Sequence, residues 1–336
     1  MKPWRKQAAQ PRRGNRPLRS GFVSILGRPN VGKSTLLNQL VGEKVAIVTS
    51  KPQTTRTRIH GIVEVPAKKG KHPAAQIVFV DTPGVHRPDS WLDKRMMQEV
   101  HDALESRDIV LLMVDATRRQ EFSAPESEDS FTLSLVRKLD CPVFLLINKI
   151  DLLPKDKLLP MIAELSALHS FAEVIPVSAR KGDGLDRLLV KLVEYLPEGE
   201  RYFPKDQFTD QPLRFMVAEL IRERILQETG EEVPYASAVV VERFEEPGPG
   251  AKNPVTRISA AIYCERSGQK AILIGKGGSK LKSIGMNARR EIESLLGTRV
   301  FLELRVIVEE GWRERRGFVE SLDWRKQIEE LGKREQ

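Results

Sequence analysis

Eight residues, Gly27-Arg28-Pro29-Asn30-Val31-Gly32-Lys33-Ser34, carry the spacing G-x-x-x-x-G-K-S. They follow an apolar run that includes Phe22, Val23, Ile25 and Leu26 and open a helix-like stretch from Thr35 to Leu40. Between a strand and a helix, this spacing is a cradle for a polyphosphate. Gly27 and Gly32 let the backbone wrap phosphate with its N–H groups, Lys33 supplies a point charge to the β- and γ-phosphates, and the Ser34 hydroxyl suits Mg2+. A glycine turn that merely carries Lys and Ser is the plain alternative, and the apolar run and helix on either side argue against it.

The cradle alone does not separate ATP from GTP. A short buried-strand pattern, Ile77 to Val80, runs into Asp81-Thr82-Pro83-Gly84 and brings a carboxylate and a glycine N–H toward a metal ion and the γ-phosphate. A second run, Val143 to Ile147, ends in Asn148-Lys149-Ile150-Asp151. The Asp151 carboxylate can accept the N1–H and the 2-amino group of guanine, whereas adenine offers an acceptor at N1 and no 2-amino group. Adenine would leave a buried charge unpaired, a difference of several kcal/mol, on the order of a 10⁴-fold preference. Lys149 would lay its stem along the base and Asn148 would tie this loop to the cradle. Ser178-Ala179 follows Val174 to Val177, where a backbone N–H could meet guanine O6.

In this order the four motifs resemble the P-loop GTPases, and two details are similar to their TrmE–Era branch. Ser50-Lys51-Pro52-Gln53-Thr54-Thr55-Arg56 lies between the cradle and D-T-P-G, and the residue after D-T-P-G is Val85. The resemblance implies that a threonine of this segment closes over Mg2+ and the γ-phosphate; register favours Thr55, with Thr54 as the alternative. Lys33, Thr55 and Gly84 are then the expected catalytic groups, and Ser34, Thr55 and Asp81 the expected metal ligands. Val85 cannot hydrogen-bond water, so backbone groups, Mg2+ and an ion or a partner must arrange the reaction, and slow turnover is expected. Asn30 stands where some members of the branch hold K+; a loop-capping asparagine is the other reading.

These elements need a sheet to carry them. Strands ending at Leu26, Val80, Val114, Ile147 and Val177 alternate with helical stretches, including 152–168 and 185–196, which predicts a mainly parallel α/β sheet covered on both faces. Lys68-Lys69-Gly70-Lys71 is expected to top a hairpin, and residues 117–130 a surface loop. At 336 residues the chain has room for two domains. The expected division is a disordered basic tail over 1–20, a nucleotide domain over 21–197, a linker over 198–212, a second domain over 213–310 and an extension over 311–336.

Net charge is +9, and residues 1–20 alone hold seven Lys and Arg with no acid. A solvated tail is the plainer reading of that segment; RNA or ribosome contact is the other. Two cysteines in different predicted halves suggest no disulfide framework or zinc site and fit a reducing cytoplasm. No apolar stretch is long enough to span a bilayer, and no signal peptide is evident.

Beyond the linker, Val217, Leu220, Ile221 and Ile225 share a helical face, strands are expected over 236–241 and 258–263, and Leu302, Leu304, Val306 and Val308 alternate. Residues 267–290 hold Lys270, Lys276, Lys280, Lys282, Arg289 and Arg290 with no acid, around Gly275-Lys276-Gly277-Gly278. G-x-x-G lets a nucleic-acid backbone approach closely, and Lys276, Lys280 and Lys282 add charge. The order helix, strand, strand, helix, G-x-x-G, helix, strand resembles a KH domain of the bacterial, type II topology, an α+β fold. With Gly311-Trp312-Arg313-Glu314 closing it, the whole span from 21 to about 324 is similar to the Era family, a P-loop GTPase domain followed by a KH domain.

That resemblance implies a GTPase that uses GTP/GDP and Mg2+, with K+ as a further candidate ion, and that assists maturation of the small (30S) ribosomal subunit. The KH domain would hold single-stranded RNA near the 3′ end of the small-subunit (16S) rRNA. No DNA partner is expected, and a monomer is. The family also associates peripherally with the cytoplasmic membrane, for which the chain offers only basic residues. Two rivals remain open: a signalling switch whose KH-like domain binds protein, and a passive RNA scaffold with a structural nucleotide.

Overall fold

The computed structural model describes residues 17–230, 233–250 and 253–327. Three strands whose residues are all buried, β3 (Ala75–Asp81), β4 (Ile109–Asp115) and β5 (Val143–Asn148), read in the sequence as unbroken apolar runs because both faces of the sheet are covered. With β1 (Arg19–Leu26), β2 (Ile59–Val65) and β6 (Glu173–Pro176) they form a six-stranded sheet of order β2-β3-β1-β4-β5-β6. Every pairing is parallel except β2 with β3. That pair is the hairpin topped by Lys68 to Lys71, closed by a bridge from Lys68 to His72.

One face of the sheet is covered by α1 (Lys33–Val41) and α5 (Leu185–Tyr195), through Leu36, Leu37, Leu188 and Leu192. The other carries α2 (Trp91–Glu105), α3 (Glu128–Val136) and α4 (Lys155–Ser166), through Val100, Leu104, Leu133 and Leu165. The parallel β1-β3 and β4-β5-β6 ladders all end at the same edge, so the loops after β1, β3, β5 and β6 gather there, where open α/β sheets hold their ligands.

The second sheet has order β7-β8-β9, from β7 (Ala238–Glu245), β8 (Val255–Cys264) and β9 (Arg299–Val308). β7 and β8 are antiparallel, β8 and β9 parallel. Helices α6 (Leu213–Glu228), α7 (Ser267–Ile274) and α8 (Ser279–Leu296) complete the α-β-β-α-α-β order read from the sequence, and a separate core joins Ile221, Ile225, Ile262, Ile284 and Ile292. A last helix, α9 (Arg316–Ser321), lies on α2 beside Trp312. Among the described residues no helix is long and apolar enough to cross a membrane.

Several sequence expectations need adjusting. Residues 1–16 of the basic tail lie outside the described residues, but Arg19 and Ser20 belong to β1 and pair with Ala75 and Gln76. Helix α3 starts at Glu128, inside the stretch read as loop, because Ser127 accepts the Ser130 N–H as an N-cap. The glycine loop, expected from the sequence to join two short helices, joins α7 of 8 residues to α8 of 18 residues. The segment read as a linker lies along β2, taking the Ile62 N–H at Phe208 O and binding His60 O through the Thr209 hydroxyl. Its Pro and Gly content signalled an irregular path, which a packed strap and a free linker share.

Candidate nucleotide site and nucleic-acid interface

At the end of β1 the chain makes an open loop whose geometry only small residues permit. Gly32 has φ 103°, and a Cβ there would meet Asn148 Nδ2 at 2.4 Å. Gly84 brings the β3 loop against the cradle, where a Cβ would lie 2.6 Å from Pro29 Cγ. Inside the loop, Lys33 donates to Gly27 O and Arg28 O, each at 3.0 Å. Burial pulls the Lys33 ammonium down to about 8, against the opposing pull of Asp81 and Glu128. Arg28 is held off the loop by Asp129, 2.9 Å away, and Glu128.

The three expected metal ligands converge. Ser34 Oγ donates to Asp81 Oδ2 at 2.6 Å and lies 2.9 Å from Thr55 Oγ1, which is 3.4 Å from the same carboxylate oxygen. Thr54 turns away, its hydroxyl donating to Lys51 O at 2.6 Å and lying 2.8 Å from the Thr49 hydroxyl. Burial raises the Asp81 carboxyl to about 6, with Lys33 and the Ser34 and Thr55 hydroxyls opposing. Its Oδ1 is buried without a hydrogen-bond partner among the described residues. Two hydroxyls and a carboxylate with an oxygen to spare make a hard-oxygen set that fits Mg2+.

The loops after β5 and β6 are tied to the cradle and to each other, Asn148 making the tie expected of it. Asn148 donates to Val31 O at 2.7 Å and Lys149 donates to Asn30 O at 2.9 Å, so the N-K-I-D loop is fastened to the cradle twice. Asp151 accepts from the Ser178 hydroxyl at 2.7 Å. Within Ser178-Ala179, where a backbone N–H is expected to meet guanine O6, the Ala179 N–H is engaged by Asn148 Oδ1 at 2.9 Å. A base oxygen would therefore share that donor. Asp115, which the sequence reading missed, sits 2.6 Å from Lys149 Nζ, and its position at the end of a buried strand was the available signal.

A cavity of about 450 Å³ is lined by Asn30, Lys33, Ser34, Thr35, Thr55, Gly84 and Lys149, among others, while Asp81, Asn148, Asp151, Ser178 and Ala179 lie outside its lining. Arg180, Ile47, Val48 and Thr49 also line it and were not anticipated. Asn30 adopts φ 63° and donates from Nδ2 to Ser50 O at 2.8 Å, joining the cradle to residues 50–56. Val85 is fully buried in the α2-side core, and its N–H is spent on Gly27 O. No side chain at that position can reach an attacking water.

In the second domain, Gly275, Gly277 and Gly278 have φ of 71°, 57° and 79°, and a Cβ on Gly275 would sit 2.7 Å from Lys280 Cβ. Lys276 and Lys282 are exposed and Lys280 half-buried. Beside the loop runs a groove of about 420 Å³ walled by Leu281, Lys282, Met286, Arg289, Phe301 and Leu304. Phe301 is 56% exposed, with the Arg257 guanidinium 5.8 Å from its ring centre. An apolar floor, an aromatic edge and a cationic rim suit splayed bases on a phosphate backbone. Phe301 and Met286 escaped the sequence reading because strand alternation and helix periodicity also serve core residues.

Comparison with known proteins finds relatives of both domains. Residues 22–149 match the family described as 50S ribosome-binding GTPase, and residues 232–313 match the KH domain. GTPase Era of Geotalea uraniireducens is 50% identical over 296 residues, spanning 88% of this chain and 94% of that protein. GTPase Era of Heliobacterium modesticaldum is 44% identical over 312 residues, 93% of this chain and 99% of that one. A variant of Aquifex aeolicus Era bound to GDP and AlF4− superposes with TM-score 0.83 at 40% identity, covering 91% of this chain and 99% of that one. Era in complex with MgGDPNP and nucleotides 1506–1542 of 16S ribosomal RNA superposes equally well, also with TM-score 0.83 at 40% identity over 91% of this chain.

Proposed function

Because this chain belongs to the Era family of GTPases, we propose that it hydrolyses GTP with Mg2+ and acts in assembly of the small ribosomal subunit, holding 3′-terminal small-subunit rRNA in the groove beside Gly275 to Gly278. One observation carries the reading. The cradle whose hydroxyls converge on Asp81 is hydrogen-bonded, through residues 48–56, to the domain that bears the glycine loop.

In this mechanism Lys33 exchanges its two carbonyl partners for β- and γ-phosphate oxygens, and the triphosphate's charge favours its protonated form. Mg2+, held by Ser34, Thr55 and Asp81, would neutralise charge on the phosphates. The Gly84 N–H faces the γ-phosphate position, and Asp151 and Ala179 read guanine. With Val85 buried, no side chain there orients water, so turnover is slow without a helper. Asn30, bonded to Ser50 O, is suited to a K+ site between these two segments, which GTPase assays in K+ and Na+ would test.

The same reading divides the chain into a nucleotide domain from the start of β1 at Arg19 to residue 197, a strap over 198–212, a KH domain over 213–310 and an extension from 311. Peripheral membrane contact rests on basic residues alone, and flotation with anionic vesicles tests it. The main experiment measures GTP hydrolysis and, separately, affinity for a 3′-end small-subunit rRNA oligonucleotide. Hydrolysis without preference for that oligonucleotide over an unrelated single strand would favour the signalling reading; absence of hydrolysis would favour the scaffold.

A further inference from the structure

Residues 44–58 form no helix or strand, so their path is set by individual hydrogen bonds, a few within the segment, as from the Thr54 hydroxyl to Lys51 O, and many from outside it. Toward the cradle they are held by Asn30 on Ser50 O and by the Thr55 hydroxyl group. From the same domain, Asn38 of α1 binds Val45 and Ala46, Asp93 of α2 accepts from the Gln53 amide and Glu99 accepts the Arg58 N–H; a further set of tethers comes from the C-terminal domain. Glu223 accepts the Val48 N–H at 3.0 Å, Lys51 donates to Thr229 O, and Arg56 donates to Ser237 O at 2.7 Å and Tyr235 O at 3.0 Å, with its guanidinium over the Trp312 ring. Most direct is Arg222 of α6, 2% exposed, which donates to Thr54 O while Glu219 holds its guanidinium at 2.7 and 2.6 Å.

We propose that Arg222 is a positioning residue for GTP hydrolysis: by fixing the Thr54 carbonyl it sets the Thr54–Thr55 peptide plane and aims the Thr55 hydroxyl at the metal position. The peptide is planar, so anchoring its oxygen also orients the following N–H and the axis about which Thr55 turns. Thr55 is β-branched and confined to few rotamers, so a fixed backbone nearly fixes the hydroxyl. Arg56, anchored by the C-terminal domain on the other side, keeps the segment from slipping. The C-terminal domain is thus part of the catalytic apparatus even without RNA. The inference rests on the proposed GTPase activity and adds a role for a side chain that touches neither nucleotide nor metal.

The test uses the full chain, with GTP turnover followed as Mg2+ is titrated. Arg222→Ala should lower kcat about tenfold and raise the Mg2+ concentration for half-maximal rate, while GDP affinity stays at the wild-type value, because only the γ-phosphate and metal geometry depends on Thr55. Arg222→Lys, which keeps one donor, should recover part of the rate. Arg325→Ala, which removes an ion pair to Glu99 across the same seam but away from residues 48–56, should behave as wild type. A folded Arg222→Ala protein with wild-type kcat and Mg2+ response overturns the proposal, as does an equal loss in Arg325→Ala. If Arg222→Ala does not fold, Glu219→Gln decides by the same readout: a shifted Mg2+ dependence supports the proposal and a wild-type one overturns it. Wild-type protein that fails to hydrolyse GTP would count against the proposed function instead.

Discussion

Ser178 donates its hydroxyl to Asp151 across 2.7 Å, joining the loop after β6 to the loop after β5 and presetting the carboxylate that would read the base. A carboxylate oriented before ligand arrives loses less entropy on binding. Replacing Asp151 by Asn should weaken GTP binding and move selectivity toward xanthosine triphosphate, whose 2-oxo group matches the new amide. Ser178→Ala should weaken GTP by up to about tenfold without changing selectivity. Competition binding with GTP, ATP and xanthosine triphosphate checks both, and unchanged GTP preference in Asp151→Asn would remove that residue from the base site.

Thr54 and Thr55 are adjacent, yet their hydroxyls face different partners. Thr55→Ala should cut GTP turnover at least about tenfold and raise the Mg2+ concentration for half-maximal rate, since an oxygen ligand beside Ser34 and Asp81 is lost. Thr54→Ala removes only the bonds to Lys51 O and Thr49 and should cost about 1 kcal/mol of local stability with turnover within a few-fold of wild type. Single-turnover assays on the pair distinguish them, and the reverse ranking would exchange their roles.

Burial holds the Asp81 carboxyl at about 6, above its unfolded value of 3.8. The native state therefore binds this proton more tightly than the unfolded chain. Its contribution to stability is present below about pH 4 and is lost as pH rises through 6. In nucleotide- and metal-free protein, Asp81→Asn should accordingly gain stability relative to wild type between pH 4 and pH 7, by on the order of 2 kcal/mol. Urea titrations of both proteins across that range provide the test; a difference that shrinks with rising pH would contradict it.

Charge and shape at the glycine loop can be separated only with care. Gly275 packs its Cα against Lys280, so any side chain there disturbs the loop before RNA arrives. Lys276→Ala and Lys280→Ala are the cleaner probes. Together they should weaken binding to a 3′-end rRNA oligonucleotide and make its salt dependence shallower by roughly 0.7 for each phosphate no longer neutralised. Fluorescence anisotropy at several salt concentrations measures the slope, and GTP hydrolysis without RNA should remain near wild type.

Trp312 is fully buried against Leu92 and Met96 of α2, and its indole N–H donates to Ala236 O at 2.9 Å. Trp312→Ala should destabilise the protein by about 3–5 kcal/mol. It should also lower GTP turnover, because α2 begins just after Gly84. Thermal melting together with a turnover assay tests this, and a loss of stability alone would limit the residue to packing.

The phosphate cradle, D-T-P-G, N-K-I-D and the glycine loop were legible in the sequence because each chemistry depends on residue types at short, fixed spacing beside an apolar strand or a helix. Gly32 has a φ of 103° that side-chain-bearing residues rarely adopt, and Gly84 sits where a Cβ would collide with Pro29, so identity alone carried the information. The fold class was legible for a related reason: β3, β4 and β5 are buried on both faces and are mostly apolar, with polar Asp81, Asp115 and Asn148 at the ends that face the ligand edge.

What only the tertiary structure decided involves residues far apart in the chain. The choice of Thr55 over Thr54 depends on which hydroxyl is turned toward Asp81, and local spacing is blind to a half-turn of backbone. The pairing of Lys149 with Asp115 and the engagement of the Ala179 N–H by Asn148 depend on strand register. The fastening of Thr54 by Arg222 joins residues 168 positions apart, and nothing in a buried arginine's sequence neighbourhood names its carbonyl partner. Motifs record how a short backbone segment meets a ligand; the bonds that hold such segments in place depend on how two separate cores pack, and that is settled only in three dimensions.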